Sequence, residues 1–280
     1  MTPIPQNPTE PESFDKMLDR RQAVYLLPDT TLELDRELIR EEPLSINVQG
    51  KTFAVVMRTP GDEKAHAAGF CLAEGLADTP SDLADIALCD GEESNVAAVR
   101  LTPERAKKVA SILEKQGYMS QTSCGICGRE IIEDLGRILR PAASTLTLSF
   151  AQAMGMADAL KDSQQLRRRC FSSHAVAIFN SRCEKISEAE DAGRHNALDK
   201  AIGKLFLQGT IGTAAVALLS SRASYEMIQK CARARIEIVI SMSRPTALAA
   251  DLGQSLNMTL ASVRDNGIYV FTGRERIMRS

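Results

Sequence analysis

The sequence predicts an α/β protein in two parts, a small α+β unit followed from about residue 119 by a larger unit on a mostly parallel sheet covered by helices. Two observations carry this expectation. In the second half, short apolar runs alternate with amphipathic ones, the rhythm of strands separated by crossover helices. In the first half, period-two runs meet at tight turns, and helix-start signals of Thr-Pro follow them. At about 150 residues per domain, a chain of 280 residues has room for both units.

Taken in order, Pro3, Pro5, Pro8 and Pro11 among polar residues mark 1–20 as a mobile tail. The small unit, 21–118, opens with alternation over 44–48, a Gln49-Gly50 turn and a return over 52–57. Thr59-Pro60 reads as an N-cap with proline at the first helical position, for a helix running to about Gly75. Strands are expected at 86–89 and 96–101, and Thr102-Pro103 opens a helix that stops at Gly117. The larger unit, 119–280, begins with a helix near 129–139 and a long one over 150–167. Strands follow at 175–179 and 185–187, with a helix through Ala197, Leu198, Ala201, Ile202 and Leu205. Strands at 214–219, 236–240 and 259–263 then alternate with helices at 225–233 and 246–256, and 268–272 adds a last strand.

Composition excludes several functions. Lys plus Arg is 34 and Asp plus Glu is 36, a net charge of −2, so no chain-wide basic surface faces nucleic acid or an anionic membrane. Eight Phe, four Tyr and no Trp are too few for a single-strand stacking groove. No stretch approaches the ~20 apolar residues that span a bilayer, and the N-terminus lacks the pattern of a secretion signal. Seven irregularly spaced cysteines fit reduced thiols, so the expectation is a cytoplasmic protein.

The sharpest motif is Ser123-Cys124-Gly125-Ile126-Cys127-Gly128-Arg129, placed just before an amphipathic run. A helix N-terminus and Arg129 both favour thiolate, the reactive form of cysteine. Three readings stand: half of a zinc site, a redox dithiol, or a sulfur-carrying thiol with a resolving neighbour. A second feature is positional, because ligands of open α/β sheets bind beyond the carboxyl ends of parallel strands. Here those ends are followed by Ser220-Ser221-Arg222, by Ser241-Met242-Ser243-Arg244, and by Arg264-Asp265-Asn266-Gly267. An arginine at each, with hydroxyls and helix N-termini at two, suits an anion such as phosphate. The third is Glu190-Asp191-Ala192-Gly193-Arg194-His195-Asn196-Ala197-Leu198-Asp199-Lys200, where His195 can bind ligand or move protons. His174 is a weaker candidate of the same kind, and His66 reads as structural.

These motifs occur together with Glu42-Pro43-Leu44, Gly69-Phe70, Glu74-Gly75, the run 221–230, the run 244–249, and Thr272 with Glu275-Arg276-Ile277. In that order the sequence resembles the formate dehydrogenase accessory sulfurtransferase family over nearly all but the N-terminal tail. The resemblance implies a cytidine deaminase-like three-layer α/β/α larger domain and a homodimer. It implies that Cys124 carries a persulfide taken from a cysteine desulfurase, with Cys127 as its partner. The sulfur's destination is then the molybdenum (or tungsten) bis-pyranopterin guanine dinucleotide cofactor of formate dehydrogenase. Ser262, Val263, Arg264, Asp265, Asn266 and Gly267 match the family's cofactor-binding stretch, to which the strand-end reading adds Arg222 and Arg244 and the 190–200 cluster adds His195. The chain departs from the family at 170–173, where Cys-Phe-Ser-Ser replaces a Thr-Gly-Gly run, at Arg235, where glycine is usual, at Arg244, where alanine is common, and in the 262–267 loop, one residue shorter around Arg264.

Two other functions remain as expectations to be tested. One is a non-catalytic chaperone for the cofactor. The other, a zinc-dependent deaminase, is disfavoured because no histidine has Glu two residues on and Ser123 stands where proline would precede Cys124. No resident zinc is therefore expected.

Overall fold

The computed structural model describes residues 16–88, 95–115, 139–142 and 146–279. Its first element is a long hairpin, β1 (Leu18–Leu27) and β2 (Thr30–Ile39), paired antiparallel over all ten positions. β1 begins inside the stretch assigned to the tail. Ala23, Tyr25, Leu32 and Leu34 share one face with Arg21 and Arg36, while Val24 and Leu26 lie on the other with Arg20, Gln22, Glu33, Asp35 and Glu37. Apolar side chains on both faces are exposed, Val24, Tyr25 and Leu26 among them. The hairpin's base is held by Leu18 packing with Leu166 and Cys170, and by Arg169 on the Glu37 carboxylate.

A four-stranded sheet follows, with order β4-β3-β6-β5, formed by β3 (Glu42–Val48), β4 (Lys51–Arg58), β5 (Leu83–Leu88) and β6 (Val96–Leu101). Helix α1 (Glu63–Ala73) connects β4 to this sheet's second half. Its N-cap is Asp62, in the left-handed region at φ 59°, and not Thr59. The Thr59 hydroxyl is engaged elsewhere, accepting from the Ala192 amide at 3.0 Å, so Thr-Pro here ends a strand and ties two sheets together. At Thr102 the same signal does cap a helix, its hydroxyl accepting from the Arg105 amide at 3.3 Å. That helix breaks at Val109 into α2 (Pro103–Lys108) and α3 (Ala110–Lys115).

Beyond the short strand β7 (Leu148–Ser149), the long helix expected over 150–167 divides at Gln164 into α4 (Phe150–Ser163) and α5 (Gln165–Cys170). The Glu190 carboxylate accepts from the Leu166 and Arg167 amides, starting α5 as a separate helix. Then come β8 (His174–Phe179), β9 (Lys185–Asp191), α6 (Arg194–Leu207), β10 (Val216–Leu219), α7 (Tyr225–Arg233), β11 (Ile238–Ser241), α8 (Ala247–Ser255), β12 (Thr259–Arg264), β13 (Gly267–Thr272) and β14 (Ile277–Met278). The large sheet has order β13-β12-β11-β10-β8-β9. Only β10–β11 and β11–β12 pair in parallel, so the expectation of a mostly parallel sheet is corrected to a mixed one. The reason is local: β8–β9 and β12–β13 are joined by turns too short for a crossover.

Alternation places Ala175, Ala177, Val216, Leu218, Ile238, Ile240, Ala261 and Val263 against α4 on one face. Val176, Ile178, Ala217, Leu219, Val239 and Leu260 pack on the other with α6, α7 and α8, giving three layers. The small sheet joins that second core through α1, which lies across α6. The crossing is backbone to backbone. A Cβ built on Gly203 would lie 1.7 Å from the Ala65 carbonyl oxygen, and one on Gly69 would lie 1.9 Å from that of Asp199. Arg235 adopts φ 62° just after α7, in the left-handed region that glycine takes freely.

Candidate functional site

β9, β10, β11 and β12 run in the same direction, so their carboxyl ends share one edge of the large sheet. β8 runs the other way, which brings its first residue, His174, to the same edge opposite Asp191. At a strand spacing of about 4.8 Å, Arg222, Arg244 and Arg264 follow three adjacent strand ends. The structure thus brings together the three strand ends read from sequence and adds β9 with the start of α6.

The 190–200 motif divides sharply by role. Asp191, fully buried, accepts from the Thr59 amide at 3.1 Å, the Gly193 amide at 2.8 Å and Asn196 Nδ2 at 3.0 Å. It also pairs with Lys200 Nζ at 2.7 Å, and Lys200 donates to the Thr59 carbonyl at 2.7 Å. Asn196 Nδ2 reaches the Met57 carbonyl as well, also at 2.7 Å. Asp199 holds Lys230 with both oxygens at 2.8 Å. Burial alone would lower the Lys230 ammonium's pKa, but the Asp199 and Glu74 carboxylates outweigh it and raise it. These residues bind the β4–α1 connection and α7 to the α6 corner. Arg194 and His195 are left to face the edge.

Arg194 has its Nε buried with no hydrogen-bond partner among the described residues. Burial, and then the neighbouring Arg222 guanidinium, depress its pKa. Arg222 is exposed and makes no side-chain hydrogen bond or ion pair among the described residues. His195 Nε2 lies 3.1 Å from the Glu226 carboxylate and 3.4 Å from Ser224 Oγ. Burial, with Lys230, Arg194, His174 and Arg222 around it, holds the His195 pKa down to about 3. The imidazole is neutral near pH 7, and the carboxylate places its proton on Nε2. His174 is lowered by burial and by Arg194 and Arg167. Two arginines, with Glu226 the carboxylate that acts on Arg194, thus stand beside two neutral imidazoles.

A pH dependence follows from these imidazoles. Above about pH 6.5 they are neutral in folded and unfolded chains alike and contribute nothing. Below it the unfolded chain takes up protons that the fold refuses, so stability falls from pH 6.5 toward 3, by about 1.4 kcal/mol per unit for His195 alone. Asp199 and Glu74, which burial pushes up, act in the opposite sense but equally in wild type and variant. Urea unfolding at pH 6.5 and pH 5 is expected to show wild type losing about 2 kcal/mol more than His195→Gln.

Arg264 is exposed, beside Asp265 at 4.0 Å, in the turn between β12 and β13, and Asp265 holds φ 54°. Ser262 is buried and donates to the Ser243 carbonyl at 3.0 Å, joining the ends of β12 and β11. Val263 packs on the α4 face, turned away from the arginines. Thr246 caps α8 by accepting from the Ala249 amide at 3.3 Å, whereas Ser224 makes no such cap for α7. Glu226 went unnoticed in the sequence. Its spacing from Arg222 on the turn into α7 was the available signal.

Cys124 and Cys127 lie outside the described residues, and so does Cys89. Cys71 and Cys231 are sealed in the core, where burial pushes both thiols up to about 12. His66 is fully buried, its ring kept neutral by burial and by Lys200 and Lys230. Among the described residues no three His, Cys, Asp or Glu side chains are gathered as a metal site requires. No helix among them is long and apolar enough to cross a membrane.

The model of the FdhD/NarQ family matches residues 39–278. The chain belongs to the FdhD/NarQ family. A sulfur carrier protein FdhD of Streptomyces coelicolor is 32% identical over 273 residues, covering 94% of this chain and 96% of its own. That of Xanthomonas campestris pv. campestris (strain B100) is 33% identical over 278 residues, with 99% and 96% covered. A crystal structure of a formate dehydrogenase accessory protein from Desulfotalea psychrophila shares the fold, at a TM-score of 0.75 and 24% identity. It covers 94% of this chain and is itself covered entirely. The family model's match begins at Ile39, the last residue of β2.

Proposed function

We propose that this FdhD/NarQ family member carries sulfur for the maturation of formate dehydrogenase, taking it from a cysteine desulfurase as a persulfide on Cys124. The acceptor is the molybdenum (or tungsten) bis-pyranopterin guanine dinucleotide cofactor, bound as substrate by its phosphates. The observation that carries the acceptor side is the edge occupied by Arg194, whose buried Nε is unpartnered and whose charge is opposed by Arg222 more than it is offset by Glu226, and Arg222, which makes no side-chain ion pair among the described residues. Two diphosphates supply the charge that these cations lack. Neutral His195, fixed by Glu226, contributes a hydrogen-bonding imidazole and no further charge.

In the transfer, the acceptor supplies an electron pair to the outer sulfur and the S–S bond breaks. Cys124 keeps that bond's pair and departs as thiolate. Cys127 stands three residues away as its partner thiol. The three layers formed by α4, the large sheet and α6 to α8 support the cytidine deaminase-like reading of the larger domain. A homodimer and a cytoplasmic setting complete the proposal.

Mass spectrometry after incubation with a cysteine desulfurase and cysteine is expected to show one added sulfur, absent in Cys124→Ala. The same variant is expected to abolish formate dehydrogenase maturation in complementation. Full maturation by both Cys124→Ala and Cys127→Ala would overturn the carrier role in favour of a cofactor chaperone.

A further inference from the structure

β1 and β2 form a two-stranded ribbon ten pairs long, held to the rest of the chain at its base. Residues 20–33 are all exposed. A ribbon of two strands becomes stable when further strands or a helix join it, and neither does so here among the described residues. Ala23-Val24-Tyr25-Leu26-Leu27 is a run of five apolar residues without a charge, and Val24, Tyr25 and Leu26 are 59%, 54% and 73% exposed. Edge strands that stay single are blunted by charges, prolines or bulges, and this half of β1 has none of them. The two-residue turn Pro28-Asp29 makes Leu27 and Thr30 a hydrogen-bonded pair. Counting from it, the amides of Arg20, Gln22, Val24 and Leu26 point away from β2, toward an open edge.

The two edges of the ribbon differ in charge, and that difference selects what can cover them. On β2 a two-fold axis at Leu34 would set Glu33 against Asp35 of a second copy. One at Asp35 would set that carboxylate against itself, and one at Arg36 would set Asp35 against Glu37. Like charges directly opposite destabilise a strand pair. β1 has no such conflict. A two-fold at Val24 sets Ala23 opposite Tyr25, Gln22 opposite Leu26 and Arg21 opposite Leu27. We propose that β1 pairs antiparallel with β1 of a second copy about a two-fold at Val24, giving one continuous sheet of order β2-β1-β1-β2. Each copy uses the same edge, so the assembly closes at two chains. Pairing β1 with the acidic β2 of another copy would match charges, but it leaves edges open at both ends and does not close. The proposal rests on the homodimer reading and adds to it the surface and register by which the copies meet.

The test measures the mass of the full chain by light scattering over a concentration series. Val24→Pro and Asp35→Pro each remove one outward amide, the first from the edge of β1 and the second from that of β2, so their local backbone costs are matched. Wild type is expected to be a dimer. Val24→Pro is expected to raise its dissociation constant about tenfold or more, because each copy loses a hydrogen bond at the two-fold, while Asp35→Pro leaves it unchanged. Opposed residues of such a pair lie within disulfide reach, about 5.5 Å between Cα atoms. Val24→Cys is therefore expected to link two copies on mild oxidation beyond the background of the native thiols, and Asp35→Cys to stay at that background. A dimer equally tight in Val24→Pro, with no added link through Val24→Cys, would overturn the pairing and leave the homodimer standing. Equal weakening by the two proline variants would overturn the choice of edge. Oligomers that grow with concentration would show head-to-tail pairing in place of the two-fold, and a monomeric wild type would remove the homodimer and this pairing together.

Discussion

Gly203→Ala is expected to lower the thermal midpoint sharply, far more than a methyl group added at an open helix position. The added carbon would sit 1.7 Å from the Ala65 carbonyl oxygen and close to the Gly69 amide nitrogen, at 2.8 Å. Neither neighbour is a side chain that can swing aside. Accommodation requires α1 and α6 to separate, and that opens a core containing Ala67, Ala68, Leu72, Ala197, Leu198, Ala201 and Ile202. Overpacking against movable side chains costs about 1–3 kcal/mol. Against backbone the cost is expected to exceed roughly 3 kcal/mol, enough to leave much of the protein insoluble at 37 °C. Gly69→Ala, with its contact at 1.9 Å from the Asp199 carbonyl oxygen, is expected to behave alike. Gly155→Ala, within α4 and with nothing inside 4 Å of the new carbon, is expected to be neutral or to stabilise by about 0.5–1 kcal/mol. Equal midpoints for Gly203→Ala and Gly155→Ala would refute the close crossing.

That crossing shows where sequence reading stops. Gly69 and Gly203 each sit inside a clear helical pattern, but only the three-dimensional meeting of two helices shows why a side chain is intolerable. The strands of the second half were readable because both faces are covered, so their apolar runs are nearly continuous. β1 and β2 were missed for the opposite reason. Arg20, Arg21, Glu33, Asp35 and Arg36 are spread over both faces, so no clean alternation marks either strand, and the apolar side chains between them stay exposed. The Pro28-Asp29 turn between Tyr25-Leu26-Leu27 and Leu32-Glu33-Leu34 was the available signal. The strand-end arginines were legible because the position of a ligand edge follows from strand direction alone.

The 190–200 motif is the instructive case, because most of what makes it distinctive in sequence serves the fold. Asp191→Ala is expected to cost about 3–5 kcal/mol, since it leaves the buried Lys200 ammonium without its carboxylate. The Thr59 and Gly193 amides and Asn196 lose their acceptor at the same time. Asp191→Asn in a Lys200→Met background removes both charges and is expected to recover a large part of that loss, because an absent pair is far less damaging than a half pair. Urea unfolding of the two single variants and the double variant measures the coupling, and additive losses would show that the pair does not act as a unit. The consequence reaches the site as well. Asp191 fixes the Gly193 amide at the residue from which α6 starts, and Arg194 and His195 are the next two positions. Asp191 touches no edge-facing cation directly, yet its removal is expected to weaken pyrophosphate binding even in protein that remains folded. The electrostatics of the edge depend on where that helix begins, and a single buried carboxylate determines the place.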